Sequence, residues 1–221
     1  MEKKITIGII GAGRIGKLHA ENIANNFKYV EIKTISDLYA DKIADWAKSL
    51  GVKNVCSDYK EIINDPEIDA VLVCSSTNTH SQISYEAAKA GKHIFCEKPI
   101  DYDIDRIKKV MEAVDEAGVK FQVGFNRRFD HNFKRVRELV KEGKIGEPHI
   151  IKITSRDPEP PPIEYVKVSG GMMLDMTIHD FDMARYLSGS EVTEVYTSAA
   201  VLVDPEIGKA GRRYGSHNLE I

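Results

Sequence analysis

The sequence predicts an α/β fold: an N-terminal doubly wound parallel sheet followed by an incomplete C-terminal α+β domain. Three observations predict it. Apolar runs of strand length alternate with helix-length stretches from Ile5 to Gly124, as they do in a parallel sheet covered on both faces. The first strand-to-helix junction is Gly11-Ala12-Gly13-Arg14-Ile15-Gly16, a G-x-G-x-x-G. Near residue 125 the alternation gives way to helices, a proline-rich loop and longer alternating stretches. Boundaries of 1–124 for a dinucleotide-binding domain and 125–221 for a partial α+β domain follow.

Lys4 to Ile10 reads as a short buried strand, and the glycine loop follows at once. A helix from Arg14 to about Asn26 comes next, then a second strand, Val30 to Ser36, ending at Asp37. Strand, glycine loop, helix, strand and acid is the order of a Rossmann dinucleotide site. Gly11 permits the tight turn, Gly13 lets backbone approach a pyrophosphate, and Gly16 lets helix pack close to strand. The helix N-terminus, around Arg14 and Ile15, supplies N–H groups and a positive dipole end for phosphate. Asp37, 21 residues after Gly16, can accept hydrogen bonds from a ribose diol. A 2′-phosphate would meet its carboxylate, which favours NAD over NADP, although Arg14 and Tyr39 could soften that preference.

The remaining elements follow in order. Ala40 to Leu50 reads as a helix, Asn54 to Cys56 as a short strand, and Asp65-Pro66 ends the helix after it. Ala70 to Cys74 is an uninterrupted apolar run, as expected of a central parallel strand. Ser75 to His80 leads into a helix closed by Gly91, His93 to Cys96 is the next strand, and Glu97-Lys98-Pro99 ends it. Asp103 to Glu116 is helical, and Lys120 to Gly124 is the sixth strand. Ligands of such sheets sit beyond the C-terminal strand ends, so Ser75, Asn78, His80, Glu97 and Lys98 belong beside the glycine loop. Asn78 and His80 could line the nicotinamide side; His80 could equally be a surface capping residue. Beyond 125, helices are expected over Asp130–Glu142 and from Met172 to Leu187, and strands over His149–Thr154 and Thr193–Val203.

Bulk composition excludes several classes. An apolar content of 42% supports a sizeable core, and 31 basic against 34 acidic residues are mixed along the chain with no basic block for nucleic acid. No 18-residue apolar run suggests a membrane span. Met1-Glu2-Lys3-Lys4 leads straight into the first strand, so the expectation is a cytoplasmic protein without a signal peptide. Cys56, Cys74 and Cys96 lack metal-ligand spacing, and no metal is expected.

Few residues could serve hydride chemistry. Lys98 ends a strand on the cofactor side, where an ammonium could stabilise developing alkoxide charge; it could also be a solvated surface lysine. Asp175 and His179 lie four apart on a predicted helix and share a face, so the carboxylate could orient the imidazole, or the two could be a plain helix pair. Arg127 or Arg128 could reach a substrate hydroxyl or cofactor phosphate, or could serve domain-interface salt bridges.

Gly11–Gly16 with His19-Ala20, Glu97-Lys98-Pro99, Phe125–Asp130, Arg156-Asp157-Pro158 and Lys167–Asp182 together resemble the glucose–fructose oxidoreductase, inositol dehydrogenase and rhizopine catabolism family, nearest its inositol-dehydrogenating members. The resemblance implies NAD-dependent oxidation of a myo-inositol hydroxyl to the 2-ketone, or of another polyol or sugar. It implies His179 as general base, Asp175 as its orienting acid, Lys98 holding the reacting oxygen, and Arg127, Asp157 and Asp182 as polyol contacts. The resemblance also implies that 125–221 is part of a substrate and oligomerisation domain, and full-length relatives of this kind are expected to be homo-oligomers. The resemblance reaches about residue 211, and Arg212–Ile221 does not continue it. With one permitted set of codons, removing a single base turns that stretch into Asp-Val-Met-Asp-His-Thr-Ile-Leu-Lys, which resembles the family's own continuation. The expectation is a chain shortened by a frameshift, its activity impaired or reduced to NAD binding alone.

Overall fold

The computed structural model describes residues 4–210. Residues 211–221, on which the frameshift expectation rests, lie outside them. The chain divides into two compact units, Met1–Gly124 and Phe125–Ile221.

The first unit is a six-stranded parallel sheet in the order β3-β2-β1-β4-β5-β6. Its strands are β1 (Ile5–Ile10), β2 (Val30–Ser36), β3 (Asn54–Cys56), β4 (Ala70–Val73), β5 (His93–Cys96) and β6 (Phe121–Val123). The helices between them are α1 (Arg14–Asn26), α2 (Ala40–Ser49), α3 (Lys60–Ile63), α4 (Thr77–Lys89) and α5 (Ile104–Ala117). Side chains alternate across a strand, and the core obeys that period. Val71 and Val73 of β4 and Ile94 and Cys96 of β5 join Ile62, Ile83, Ala87 and Val110 in one buried cluster. Leu72 instead joins Ile7, Ile9, Ala20, Ile43 and Ala47 in a second cluster on the other face. Each fully buried aliphatic side chain contributes about 1.5–3 kcal/mol, so both helical layers are tied to the sheet by the strands' own alternation. Gly8 lies in β1 because α3 presses on it: a Cβ there would stand 2.2 Å from Cγ2 of the fully buried Ile62.

Helix α5 follows the capping chemistry of the sequence at both ends. The Asp103 carboxylate accepts from the amides of Asp105 and Arg106 at the start of α5, and Gly118 closes it in the left-handed region at φ 63°. Just ahead of α3, the Asp58 carboxylate accepts from the Lys60 amide at 2.9 Å.

The second unit contains α6 (His131–Lys141), α7 (Ile163–Val168), α8 (Ile178–Ser188) and α9 (Pro205–Ala210), with a 3-10 turn at Asn126–Phe129. Asp130 caps α6 through the amides of Asn132 and Phe133. Two expectations need correction here. His149–Thr154 and Thr193–Val203 are not strands; apart from a bridge residue at Tyr196, both run as irregular chain. Their alternation is genuine, but a strand exists only as part of a hydrogen-bonded ladder, and neither segment has one among the described residues. Ile150, Tyr196 and Leu202 accordingly stand 88%, 91% and 89% exposed. The helix expected from Met172 is present and runs to Ser188, with its first part, Met173–Thr177, wound as a π-helical turn ahead of α8.

Candidate functional site

Strand order reverses between β1 and β4, and the glycine loop sits at that switch point, where ligands of open parallel sheets bind. Gly11 has φ 95°, and a Cβ on it would come within 2.5 Å of the Ser75 amide nitrogen. A Cβ on Gly16 would fall 1.9 Å from the Gly11 carbonyl oxygen. Gly13 differs: a Cβ there would meet nothing within 4 Å, so the loop leaves an open cradle over its backbone. The N-terminus of α1 has no side-chain cap and no acid in its first turn, unlike capped α5. Its N–H groups and dipole end are left for an anion, with Arg14 exposed and Ile15 half-buried beside them. These features fit a dinucleotide pyrophosphate.

Asp37 follows β2. Its Oδ2 accepts from the Ala12 amide at 2.8 Å and its Oδ1 from the Tyr39 amide at 2.9 Å, which fixes the carboxylate against the glycine loop. Hydrogen bonds to a charged group are worth about 1.5–3 kcal/mol. Asp37→Ala should therefore weaken NAD binding by roughly tenfold to a hundredfold and narrow the gap to NADP, as titration of both nucleotides by fluorescence would measure.

On the other side of the switch point, α4 also starts without a side-chain cap or an acid in its first turn. Ser75 Oγ lies 2.7 Å from Thr79 Oγ1, and Asn78 is exposed on that turn. His80 corrects the expectation that it binds cofactor or caps at the surface. It is 2% exposed, with Nδ1 2.8 Å from the Pro99 carbonyl oxygen and Nε2 3.0 Å from that of Ser75. Both ring nitrogens are used inside the protein, so His80 joins the loop after β4 to the loop after β5.

Lys98 is half-buried at the C-terminal end of β5, and its peptide bond to Pro99 is cis. The loop carrying it is anchored again by Asp101. That 3%-exposed carboxylate accepts from Ser81 Oγ and the Tyr102 amide and pairs with Arg106 at 2.9 Å. Sequence reasoning passed over Asp101; an acid two residues beyond Lys98-Pro99 and ahead of the Asp103 cap was the available signal. Burial pushes the Cys74 thiol up and that of Cys96 up to about 12. Both stay protonated core residues rather than nucleophiles.

In the second unit the π turn carries Asp175, and His179 lies in the first turn of α8. A π turn closes i→i+5 hydrogen bonds, so residues four apart still fall near one face. The Tyr165 hydroxyl of α7 donates to Asp175 Oδ2 at 2.8 Å, and Phe125 meets the His179 ring edge-on at 6.4 Å. Tyr165 is a residue the sequence alone did not single out, since only the fold brings α7 to the π turn. Arg127 donates to Asp180 at 2.5 Å, and Ser155 Oγ donates to the same oxygen at 2.7 Å. Asp182, expected to contact substrate, is 5% exposed and grasped by Arg128 through Nε (2.9 Å) and Nη2 (2.6 Å). That pairing holds the Arg128 guanidinium above even its ordinary value. The fork fixes the carboxylate on α8 and leaves acceptor sites on its oxygens. Asp157 is exposed in the proline-rich loop. No group of three or more potential metal ligands occurs among the described residues, and no helix among them is long and apolar enough to cross a membrane.

A parallel sheet with an uncapped glycine-loop helix at its switch point and a carboxylate just past the neighbouring strand defines a Rossmann dinucleotide-binding protein. The chain belongs to the Gfo/Idh/MocA oxidoreductase family: the pattern of its NAD-binding Rossmann fold matches residues 5–125, and that of its C-terminal domain matches 133–214. It is similar to a myo-inositol 2-dehydrogenase of Thermotoga maritima, 53% identical over 208 residues, covering 93% of this chain and 61% of that protein. An inositol 2-dehydrogenase of Rhizobium meliloti is 45% identical over 207 residues, covering 94% of this chain and 62% of its own. The crystal structure of scyllo-inositol dehydrogenase from Lactobacillus casei, with bound NAD(H) and scyllo-inositol, matches with a TM-score of 0.85 at 36% identity. That match covers 94% of this chain and 63% of the other. The chain thus spans about three-fifths of the length of these relatives.

Proposed function

We propose that the chain carries the cofactor site and catalytic residues of an NAD-dependent inositol dehydrogenase that oxidises myo-inositol to the 2-keto inositol. One observation carries this reading. Lys98 falls within the match to the family's Rossmann domain and Asp175 and His179 within the match to its C-terminal domain, in a chain 53% identical to a myo-inositol 2-dehydrogenase.

Bound NAD supplies the hydride acceptor. The protein's own part is proton and charge management. His179 takes the hydroxyl proton as general base, and Asp175, held by Tyr165, orients the imidazole. The Lys98 ammonium donates to the reacting oxygen and stabilises its developing negative charge. Arg127 keeps further N–H donors after pairing with Asp180, and these, with Asp157, contact polyol hydroxyls. Gly11, Gly13, Arg14, Ile15, Gly16, Asp37, Ser75, Asn78, Glu97 and Lys98 form the cofactor side. On this reading the enzyme works in the cytoplasm on a small polyol, without nucleic acid or membrane, and shares the homo-oligomeric assembly expected of full-length relatives.

The scyllo isomer is a second candidate substrate, because the Lactobacillus casei relative holds it. NADH formation from NAD with each isomer, alongside NADH binding by fluorescence, tests the proposal. Turnover with myo-inositol is expected. Faster turnover with scyllo-inositol would reassign the substrate. Binding with turnover of neither would leave a dinucleotide module without this activity.

A further inference from the structure

The loop bearing Lys98 has an anchor that the reaction does not require by itself. His19 lies one turn after Gly16 on α1, the helix that starts at the glycine loop. Its Nε2 is 2.8 Å from Oε1 of Glu97, with His19 28% and Glu97 16% exposed at the side chain. A carboxylate only accepts, so Nε2 donates. The other carboxylate oxygen, Oε2, accepts from the backbone amide of Lys98 at 3.3 Å. Two neighbours fix this chain of contacts. The Phe95 ring meets the imidazole edge-on at 5.1 Å and sets its plane. Gly124 leaves room for the carboxylate, since a Cβ there would lie 3.0 Å from Glu97 Cδ and both carboxylate oxygens.

We infer that His19 is a positioning residue: through Glu97 it holds the backbone of Lys98 in register with the pyrophosphate-binding helix. The inference rests on the proposed role of Lys98. A helix that packs on the sheet through Gly16 and Ala20, both buried, needs no imidazole for stability at a half-exposed position. What the imidazole adds is a fixed distance between α1 and the loop after β5. Precise placement matters because a preorganised donor stabilises charge only where that charge develops.

The test compares amide hydrogen exchange by mass spectrometry in the wild-type chain and in the His19→Leu and His19→Gln variants. Leucine keeps packing against Phe95 without a donor, whereas the glutamine amide places an N–H near the position of Nε2. Exchange across residues 97–101 should rise about tenfold in His19→Leu, with β4 unchanged, as in local opening, and should return toward the wild-type rate in His19→Gln. Unchanged exchange at 97–101 in His19→Leu overturns the inference. So does loosening of β4 together with 97–101 in both variants, which would make His19 a general packing residue. Lys98→Met leaves His19 and Glu97 in place and should keep the wild-type exchange pattern. Its effect on turnover tests the role of Lys98 separately, so either idea can fail alone.

Discussion

Lys98→Met is expected to lower kcat for inositol oxidation about 10²–10³-fold, the usual effect of removing a donor aimed at developing negative charge. Methionine keeps the stem packed but carries no N–H. The loop itself should persist, because its anchors are other residues: His80 at the Pro99 carbonyl, Asp101 with Ser81 and Arg106, and His19 at Glu97. NADH affinity should therefore change far less than kcat, since the glycine loop and Asp37 supply the phosphate and ribose contacts. Steady-state kinetics with a parallel fluorescence titration separates the two quantities. A variant that keeps wild-type kcat would remove Lys98 from the mechanism. One that loses kcat and binding together would make Lys98 a cofactor contact first.

Gly16→Ala should cost about 3 kcal/mol or more of stability, at the upper end for overpacking, and should abolish detectable NAD binding. A Cβ at this position falls 1.9 Å from the Gly11 carbonyl oxygen and 3.4 Å from Cys74 Cβ. The first of these is backbone in a tight turn with φ 95°, which has no rotamer to change. Relief requires α1 to move away from β1, and that shift carries the N–H groups of its first turn out of line with the pyrophosphate. Denaturant unfolding followed by tryptophan fluorescence reads the stability. Trp46, whose indole donates to Glu21 of α1 at 3.0 Å, reports on this helix directly. Gly13→Ala is the contrasting variant. Its Cβ meets nothing within 4 Å, so stability should hold while NAD binding falls, because the methyl fills the cradle. Equal stability losses in the two variants would contradict this division of labour.

The first unit was legible because its signals are local and periodic. Val71, Leu72 and Val73 announce a two-sided strand by composition, and Gly11, Gly16 and Asp37 mark the cofactor turn by spacing. Asp103 and Gly118 bracket α5 with ordinary capping chemistry. The second unit was less legible at the same level. His149–Thr154 and Thr193–Val203 alternate like strands, but alternation gives a face to bury and not a partner to pair with. The turn at Met173–Thr177 has helical composition, and nothing in its residues distinguishes a π turn from an α turn.

The candidate site divides in the same way. Which residues could accept a proton, carry a positive charge or leave backbone open to phosphate is a property of residue type and spacing, and sequence named Gly13, Asp37, Lys98, Asp175 and His179 as candidates, with a surface lysine and a plain helix pair as the alternatives for the last three. What holds those groups is a matter of contacts between residues far apart in the chain, and only the tertiary structure decided it. His80 is buried between two loops instead of facing cofactor, Asp182 is taken up by Arg128, Tyr165 reaches Asp175, and His19 meets Glu97 across 78 positions of sequence. The physical reason is common to all four. A polar side chain withdrawn from water must find a hydrogen-bond partner, and which partner it finds depends on how helices and strands pack, which no local pattern records.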